Sequence, residues 1–347
     1  MTASSRLGAH HVLAGALGRL DDRELAALVA TGVPLGTGVG GEVLRVDVEG
    51  RPVFVKRVRM TETELAPGNI RSTVNLFGLP PFCHYGVGDV PSPGTGAWRE
   101  LAVHTMTTGW VRSGRLPNFP LTHHWRVLPA APQPLHEGLA DVDRAVAHWG
   151  GGPALRARIE ALRSAPARLT LFLEHLPTTL HDWLGARLRT DGADAACALV
   201  ERELTALTGF LREQRLTHFD VHFHNVLTDG RRLYLTDHGL ALSARFRLTA
   251  RERAFLDRHR DYDRHYATTY LVKWLATDLY GHRGEERAAF VRACAEGLRP
   301  TGIPDGAAAL LVRHARVAEV MTGFERRLRE EGRSAPYPAE ALRRAAA

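Results

Sequence analysis

Hydrophobic and polar residues alternate with strand periodicity in one early part of the chain and with helical periodicity in most of the rest. Apolar residues alternate with charged ones over 43–48, and a second apolar segment covers 53–58, so two strands are predicted on either side of the Glu49-Gly50 turn. Apolar runs predict two further strands over 124–128 and 169–176. Helical spacing predicts helices over 17–31, 97–111, 139–149, 194–214, 249–280, 285–297 and 307–331. Strands are therefore expected mainly in the first half and helices mainly in the second.

The stretch 216–242 carries the densest group of residues with chemical potential. Within it, the short apolar segments 226–227 and 233–235 flank Asp229-Gly230, a dipeptide suited to the positive φ angles of a tight hairpin turn. The stretch is therefore predicted to be a loop that leads into a β-hairpin.

Three oxygen-bearing side chains are expected to converge on this hairpin. Asn225 and Asp237 stand at its opposite ends, so strand pairing would bring them to the same side, with Asp220 close by. Hard cations such as Mg²⁺ take carboxylate and amide oxygens together with substrate phosphates. Asn225 and Asp237 are the predicted metal ligands, and Asp220 is left to orient an attacking hydroxyl.

A second motif lies near the N-terminus. Gly36, Gly38 and Gly41 fit the pattern G-x-G-x-x-G, which has two meanings. A dinucleotide-binding unit would continue into a helix, whereas here a strand pattern follows. The absence of Gly-Lys-Ser/Thr excludes a Walker A loop. We therefore interpret these residues, termed the glycine loop, as a glycine-rich turn at the start of a strand pair.

Basic residues in this chain are almost all arginine. Only two of the 45 are lysine, Lys56 and Lys273. A lysine that persists against this background indicates a task that needs a compact charge on a flexible stem. Lys56 lies on the second strand after the glycine loop, so it is the lysine that we single out as a functional candidate.

The run HFDVHFHN, which begins at His218, is followed by D-x-G at 237–239, and together they resemble the catalytic and metal-binding loops of the protein-kinase-like superfamily. The variant is most similar to the aminoglycoside phosphotransferase and choline kinase branch, which commonly carries a His two residues after the catalytic Asp. The resemblance implies an α+β, two-lobed, protein-kinase-like fold. Residues 1–173 would form a β-rich nucleotide-binding lobe with insertions, and residues 174–347 a helical catalytic and substrate lobe.

The resemblance also implies roles for the residues of the catalytic loop. Asp220 would orient the nucleophile and accept its proton, while Asn225 and Asp237 would hold Mg²⁺. His218 would support the loop. His222 would help to hold the loop or approach the substrate.

On the nucleotide side, the glycine loop would cover the ATP phosphates and Lys56 would contact the α- and β-phosphates. Val43 stands where the family packs an apolar side chain on the adenine. The segment from Glu174 to Leu176 stands at the hinge, whose backbone groups hydrogen-bond the adenine edge.

Kinases hold the strand lysine with a Glu of the following helix, and Glu100 matches it in the predicted helix 97–111. The separation from Lys56 is longer than is usual for the family, because a segment rich in Gly and Pro over 60–97 predicts an irregular insertion. Glu62 and Glu64 remain alternatives.

The implied activity is transfer of the γ-phosphoryl of Mg-ATP to a hydroxyl of a small molecule, either antibiotic-like or a metabolite. Phe219 replaces the Arg that in many protein kinases pairs with a phosphorylated activation loop, and no A-P-E follows Asp237 at the expected distance. A protein or peptide kinase remains an alternative because it would share the nucleotide-binding residues. A pseudokinase is less favoured, since Lys56, Asp220, Asn225 and Asp237 are all present.

Other classes of function fit the sequence poorly. The net charge of +7 is spread among interleaved acids without a basic tail, so no nucleic-acid partner is expected. A zinc site at His218, His222 and His224 is disfavoured by the neighbouring Asp and Asn in kinase spacing. The three cysteines are widely separated and predict buried thiols. No apolar run reaches the length of a membrane span and no signal-peptide segment is seen, so a cytoplasmic location without a membrane partner is expected.

Overall fold

The computed structural model describes residues 3–38 and 41–346, and these form an α+β structure. Two compact units are present. The first comprises the chain up to Leu176 together with Asp237–Glu252, and the second comprises Pro177–Thr236 and the chain from Arg253 onward. Within the described ranges, no helix combines the length and the apolar character that crossing a membrane requires.

Both units contain helices and strands. The helices are α1 (Ala3–Arg19), α2 (Asp22–Ala30), α3 (Glu62–Leu65), α4 (Ala97–Arg112), α5 (Glu137–Ala140), α6 (Val142–His148), α7 (Pro153–Arg163), α8 (Leu180–Arg187), α9 (Ala193–Glu213), α10 (Ala250–Arg258), α11 (Tyr262–Tyr280), α12 (Gly284–Ala295), α13 (Asp305–Glu330) and α14 (Ala339–Ala346). The strands are β1 (Val33–Gly38), β2 (Gly41–Val48), β3 (Arg51–Met60), β4 (Thr122–Pro129), β5 (Ala167–Glu174), β6 (Thr178–Thr179), β7 (Leu216–Thr217), β8 (Val226–Thr228), β9 (Leu233–Leu235) and β10 (Leu242–Ser243).

The first unit is built on an antiparallel sheet with the strand order β1-β2-β3-β5-β4. The predicted turn between β2 and β3 is present, with φ angles of 51° at Glu49 and 68° at Gly50. The resulting register places Val43 of β2 and Leu171 of β5 on either side of Lys56. Lys56 therefore lies on a central strand of the sheet.

Helices cover both faces of this sheet. Helices α1 and α2 pack against one face, where Leu17 and Leu25 meet Val55 and other buried residues. Helix α4 packs against the opposite face through a cluster that includes Trp98, Leu101, Phe54 and Val58. Because successive side chains of a strand point to opposite faces, Lys56 shares the α4 face with Phe54 and Val58.

The second unit contains helices, the short strand β7 and a small antiparallel sheet with the order β6-β8-β9. Helix α13 contacts α9, α11, α12 and α14, so it forms the centre of the helical part. Its buried residues include Leu311, Met321 and Phe324, which supply an apolar face along much of its length.

Several predicted helices are divided in the structure. The predicted helix 17–31 is broken at Asp21, whose side chain caps α2 in a capping box with Glu24. Helix α1 before it was predicted only in its last three residues. The predicted helix 139–149 is divided in the same way at Asp141, which accepts a hydrogen bond from the amide of Arg144 and so begins α6. The predicted helix 249–280 is divided into α10 and α11.

The glycine- and proline-rich segment 60–97 is largely irregular, as predicted, but it contains α3 and two 3-10 turns. Thr61 begins α3 through a capping box with Glu64. The segment therefore has local order that its composition alone did not indicate.

The segment Asp237–Glu252 belongs to the first unit, although the predicted bounds assign it to the C-terminal lobe. The Leu240 carbonyl lies 2.7 Å from His84 Nδ1, and the amide of Arg247 donates to Thr73 Oγ1 at 3.0 Å. A buried ion pair of 2.7 Å joins Arg99 and Glu252. These contacts, between residues distant in sequence, attach the segment to the first unit.

Candidate functional site

Lys56 forms the centre of a charged cluster in the first unit. Its Nζ lies 2.7 Å from Glu100 Oε1 and 2.7 Å from Asp237 Oδ1. The lysine and Glu100 are buried, whereas the Asp237 side chain is 41% exposed. Burial lowers the pKa of Lys56, but the carboxylates of Asp237 and Glu100 outweigh it and raise the pKa above its usual value. The ammonium group is therefore charged at neutral pH.

The structure distinguishes Glu100 from the two other candidate partners of Lys56. The carboxylate of Glu64 accepts hydrogen bonds from Arg158 at 3.0 Å and from the amide of Ala97 at 2.8 Å. Glu62 is exposed. Glu100, which lies one turn into α4, is therefore the glutamate that contacts Lys56.

The backbone around Asp237 is shaped to hold this cluster. Asp237 has a φ of 58°, in the left-handed region where Gly, Asn and Asp are the residues most often found. Its Oδ1 accepts a hydrogen bond from the amide of Gly239 at 3.4 Å. A side chain at Gly239 would bring its Cβ within 3.3 Å of Glu100 Oε2, so glycine leaves room for the carboxylate.

The glycine loop lies at the paired ends of β1 and β2, where Gly38 is opposite Gly41. Val39 and Gly40, the intervening residues of the motif, lie outside the described residues. Gly41 has a φ of 133°, and a Cβ there would lie 2.0 Å from the carbonyl oxygen of Arg57. Glycine at this position is therefore required for the close approach of β2 to β3. Gly36 also has a positive φ, of 143°.

The residues predicted to lie near an adenine base, Val43, Glu174 and Leu176, occupy different environments. Val43 is partly exposed, opposite Lys56 in the β2–β3 register. Glu174, at the end of β5, accepts two hydrogen bonds from Arg6, at 2.8 and 2.7 Å, and its amide donates to the carbonyl of Leu121 at 2.8 Å. The carboxylate of Glu174 is thus used within the first unit. Leu176, which follows shortly after, is partly buried.

A second cluster, in the second unit, is built on the loop from His218 to Asn225. Asn225 Nδ2 donates to both the carbonyl and the Oδ2 of Asp220, at 3.1 Å each. The amide of His222 donates to the Asp220 carbonyl oxygen at 2.9 Å, and the Nε2 atom of His222 lies 3.5 Å from Asp220 Oδ2. Because the Asn225 nitrogen faces Asp220, its Oδ1 is the atom suited to a cation.

His218 supports this loop from a fully buried position. Its Nε2 lies 3.0 Å from the carbonyl oxygen of Thr236, and its Nδ1 accepts the amide of Asp220 at 3.3 Å. A neutral imidazole with its proton on Nε2 satisfies both contacts. The position suits the supporting role that the resemblance implies.

Asp263, at the start of α11, was missed by the sequence analysis. Its carboxylate accepts the amides of His218 at 2.7 Å and Phe219 at 2.8 Å. Burial raises the pKa of Asp263 to about 7, although these two hydrogen bonds act in the opposite direction. Asp263 is 45 residues from His218 along the chain, and no local motif marks it.

The predicted hairpin is present as β8 and β9, and the amide of Thr236 donates to the carbonyl of Asn225 at 3.0 Å. Its turn is longer than the Asp229-Gly230 dipeptide implied. Gly230 has a φ of 81°, but Asp229 acts through its carboxylate, which accepts the amides of Arg231 at 3.0 Å and Arg232 at 3.1 Å.

The histidines of this region do not form a metal cluster. Throughout residues 3–38 and 41–346, no group of three or more His, Cys, Asp or Glu side chains is arranged to hold a metal ion. The ring of His224 stacks on that of His181 at 4.4 Å. All three cysteines are buried, as expected.

Sequence comparison adds no relative to this description: the chain matches no protein-family model and no curated protein.

Proposed function

We propose that the protein is an ATP-dependent phosphotransferase with a two-lobed, protein-kinase-like fold, which moves the γ-phosphoryl of Mg-ATP to a hydroxyl of a small molecule. The observation that carries the proposal is the position of Lys56, buried on a central strand with its ammonium 2.7 Å from both Glu100 and Asp237. A strand lysine paired with a helix glutamate is the arrangement by which kinases position a cation for the α- and β-phosphates.

The first unit would bind the nucleotide. Lys56 remains protonated because two carboxylates raise its pKa, so it can neutralise phosphate charge without uptake of a proton. The glycine loop would bring backbone N–H groups to the phosphates, and Val43 would pack on the base. At the hinge, Glu174 and Leu176 would contribute backbone groups only, since the Glu174 carboxylate binds Arg6.

Asn225 and Asp237 fit a magnesium site by the chemistry of their donor atoms. The nitrogen of the Asn225 side chain is used by Asp220, which leaves an amide oxygen for the cation. Asp237 offers a carboxylate that is 41% exposed beside Lys56. Two oxygen donors completed by phosphates and water are a usual set for Mg²⁺. When bound, Mg²⁺ would neutralise charge on the phosphates.

The second unit would supply the base. Asn225 donates to the Asp220 carboxylate and the amide of His222 donates to the Asp220 carbonyl oxygen, while the Asp220 side chain is 18% exposed. It would accept a hydrogen bond from the acceptor hydroxyl and then its proton. The hydroxyl oxygen forms a bond to the γ-phosphorus as the bond from that phosphorus to the ADP oxygen breaks. Positioning and charge neutralisation supply most of the rate enhancement in such reactions.

The environment of Phe219 favours a small-molecule acceptor over a protein. This residue is fully buried, and its ring lies 5.0 Å from that of Tyr262 and 5.5 Å from that of Phe255. The Arg that many protein kinases carry here responds to a phosphorylated activation loop. Here an aromatic core contact stands in place of that Arg, so activation by loop phosphorylation, a feature of protein kinases, is not expected. This difference from protein kinases favours a small-molecule acceptor.

The test is a screen with labelled ATP against aminoglycosides, hydroxyl-bearing metabolites and generic proteins, together with a measurement of Mg-ATP affinity. Asp220→Asn keeps the size of the side chain but removes the base, so transfer should fall by about 10² to 10⁴-fold with ATP affinity little changed. The proposal fails if the wild type does not bind Mg-ATP and transfers phosphate to no acceptor. It also fails if the substitution leaves transfer intact.

A further inference from the structure

A cleft of about 390 Å³ lies in the second unit, lined by α11, α12 and α13. Small-molecule sites commonly have volumes of a few hundred Å³. Lysine and arginine line it from all three helices, at Lys273, Arg287, Arg292, Arg326 and Arg329.

The charge of this cleft is positive on balance. Three acidic residues, Glu285, Glu319 and Glu325, face the five basic ones. Glu325 forms an ion pair with Lys273, and Glu319 lies 3.9 Å from Arg292. Arg326 also lies 3.9 Å from Glu330, so the arginines outside these three pairs are Arg287 and Arg329.

Arg287 is the best placed of these arginines to meet a ligand. It is half-buried, and its Nη1 donates to the neutral hydroxyl of Thr277 at 3.1 Å. A guanidinium group has five N–H donors in a planar fork that matches carboxylate and phosphate, so this contact leaves donors for an anionic ligand.

A short chain of contacts leads from Asp220 to this cleft. His222 Nε2 lies 3.5 Å from Asp220 Oδ2, and the ring of His222 lies 6.0 Å from that of Tyr270. Lys273 follows Tyr270 by three residues on α11, which is a rise of about 4.5 Å along nearly the same helix face. His222 and Tyr270 thus connect the proposed base to the part of α11 that carries Lys273.

Tyr266, one turn before Tyr270, extends this connection. The two rings lie 6.4 Å apart. Burial, with the negative charges of Asp220 and Glu325, raises the pKa of Tyr266. Burial and Asp220 likewise raise the pKa of Tyr270, while Arg287 lowers it. The pKa of each tyrosine is therefore affected both by Asp220 and by a charged residue that lines the cleft.

We propose that this cleft binds the phosphate acceptor, and that the acceptor carries a carboxylate or phosphate group in addition to its hydroxyl. The inference rests on the proposed function, because it assigns the second substrate of that reaction. The arginine excess would attract an anionic acceptor and repel a polycation. Aminoglycosides are therefore disfavoured.

The first arm of the test measures transfer from labelled ATP to acceptors that share hydroxyls but differ in charge. These are glycerol, glycerate, glycerol 3-phosphate and an aminoglycoside. At least one of the two anions should exceed glycerol by about tenfold or more in kcat/KM, and comparison of the two anions identifies the group that is recognised. Preference for glycerol or for the aminoglycoside would overturn the inference.

Two variants test whether the preference for anionic acceptors arises in this cleft. Arg287→Gln should raise KM for the preferred anion by about tenfold and leave kcat and Mg-ATP affinity near wild type, because the contact is made equally in the ground and transition states. Arg316→Gln is the matched control, since Arg316 is an exposed residue of α13 that lines a different cleft. Equal behaviour of the two variants contradicts the assignment.

The second arm separates this inference from the proposed function. Calorimetric titration of glycerate and glycerol 3-phosphate in the absence of ATP should give binding that Arg287→Gln weakens about tenfold and Arg316→Gln preserves. If transfer fails for every acceptor but this binding is found, the proposed function is wrong and the anion site stands. If Mg-ATP binds but neither anion binds better than glycerol, the anion site is wrong and the nucleotide site stands.

Discussion

Asp263 accepts the backbone amide of Phe219 at 2.8 Å, and so fixes a residue whose φ of 68° lies in the left-handed region. An aromatic residue adopts this conformation only where its surroundings enforce it. The neighbouring amide of His218 donates to the same carboxylate at 2.7 Å. The geometry of the loop that leads into Asp220 thus depends on a helix residue distant in sequence.

Asp263→Ala should destabilise the protein by about 2 to 6 kcal/mol, because it leaves two buried amides without their acceptor at about 1 to 3 kcal/mol each. Urea unfolding measures the loss. If Asp263 positions the loop, the variant should also lower kcat more than it raises KM for ATP. An unfolding free energy within about 0.5 kcal/mol of wild type would contradict the role.

Asp263 should also make the stability of the protein depend on pH. Its folded pKa of about 7 lies above the ordinary value, so between about pH 4 and pH 7 the folded protein retains a proton that the unfolded chain has released. Stability from this group is present below that range and is lost as pH rises through 7. Asp263→Asn removes the titration, so wild type should lose stability relative to this variant between about pH 4 and pH 7, with no further change above about pH 7. A pH-independent difference would contradict the shifted pKa.

Lys56→Met should abolish tight ATP binding and destabilise the fold by about 3 to 5 kcal/mol, because it leaves the buried Glu100 carboxylate without its cation. The double variant Lys56→Met/Glu100→Gln separates the two effects. It should recover most of the unfolding free energy without recovery of ATP binding, as measured by urea unfolding and by nucleotide titration. Recovery of both would show that Lys56 has only a structural role.

Arg6 is predicted to be essential for the stability of the first unit. It is fully buried and donates to the carbonyl oxygens of Pro117 and Phe119 as well as to Glu174. Arg6→Met should cost about 3 to 5 kcal/mol, since the buried Glu174 carboxylate loses its cation and keeps the amide of Leu121 as a donor. The control is Arg126→Met at the exposed pair with Asp22, which should cost about 1 kcal/mol or less. Equal losses of unfolding free energy for Arg6→Met and Arg126→Met, measured by urea unfolding, would contradict the predicted difference between the buried and the exposed ion pair.

Gly41→Ala should weaken both folding and ATP affinity, because its Cβ would lie 2.0 Å from the Arg57 carbonyl oxygen at a φ of 133°. The expected cost exceeds about 1 kcal/mol. Gly109→Ala, inside α4 with no atom within 4 Å of the new Cβ, should instead stabilise by about 0.5 to 1 kcal/mol. Thermal unfolding of the two variants should therefore shift in opposite directions.

Local patterns were sufficient for the elements whose cause is local. The strands β2 and β3 follow from alternation and from the Glu49-Gly50 turn. The division between α1 and α2 was missed although its signal, the Asp21 and Glu24 capping box, is also local. The apolar spacing over 17–31 continues across that break, so the hydrophobic pattern dominated the prediction.

Other features could not be read from neighbouring residues. Glu62, Glu64 and Glu100 all follow Lys56 along the chain, and the choice among them depended on the packing of α4 against the sheet. The binding of Glu174 by Arg6 joins residues 168 positions apart. No period or motif carries information about such a pair.

The sequence by itself determined which chemical groups are present and in what order, namely a glycine loop, a scarce lysine and the run from His218 to Asn225. The tertiary structure alone decided which of these groups meet. Lys56 and Asp237 are separated by 181 positions yet lie 2.7 Å apart. Hydrogen bonds and ion pairs act over a few ångströms of space, and separation along the chain does not set that distance.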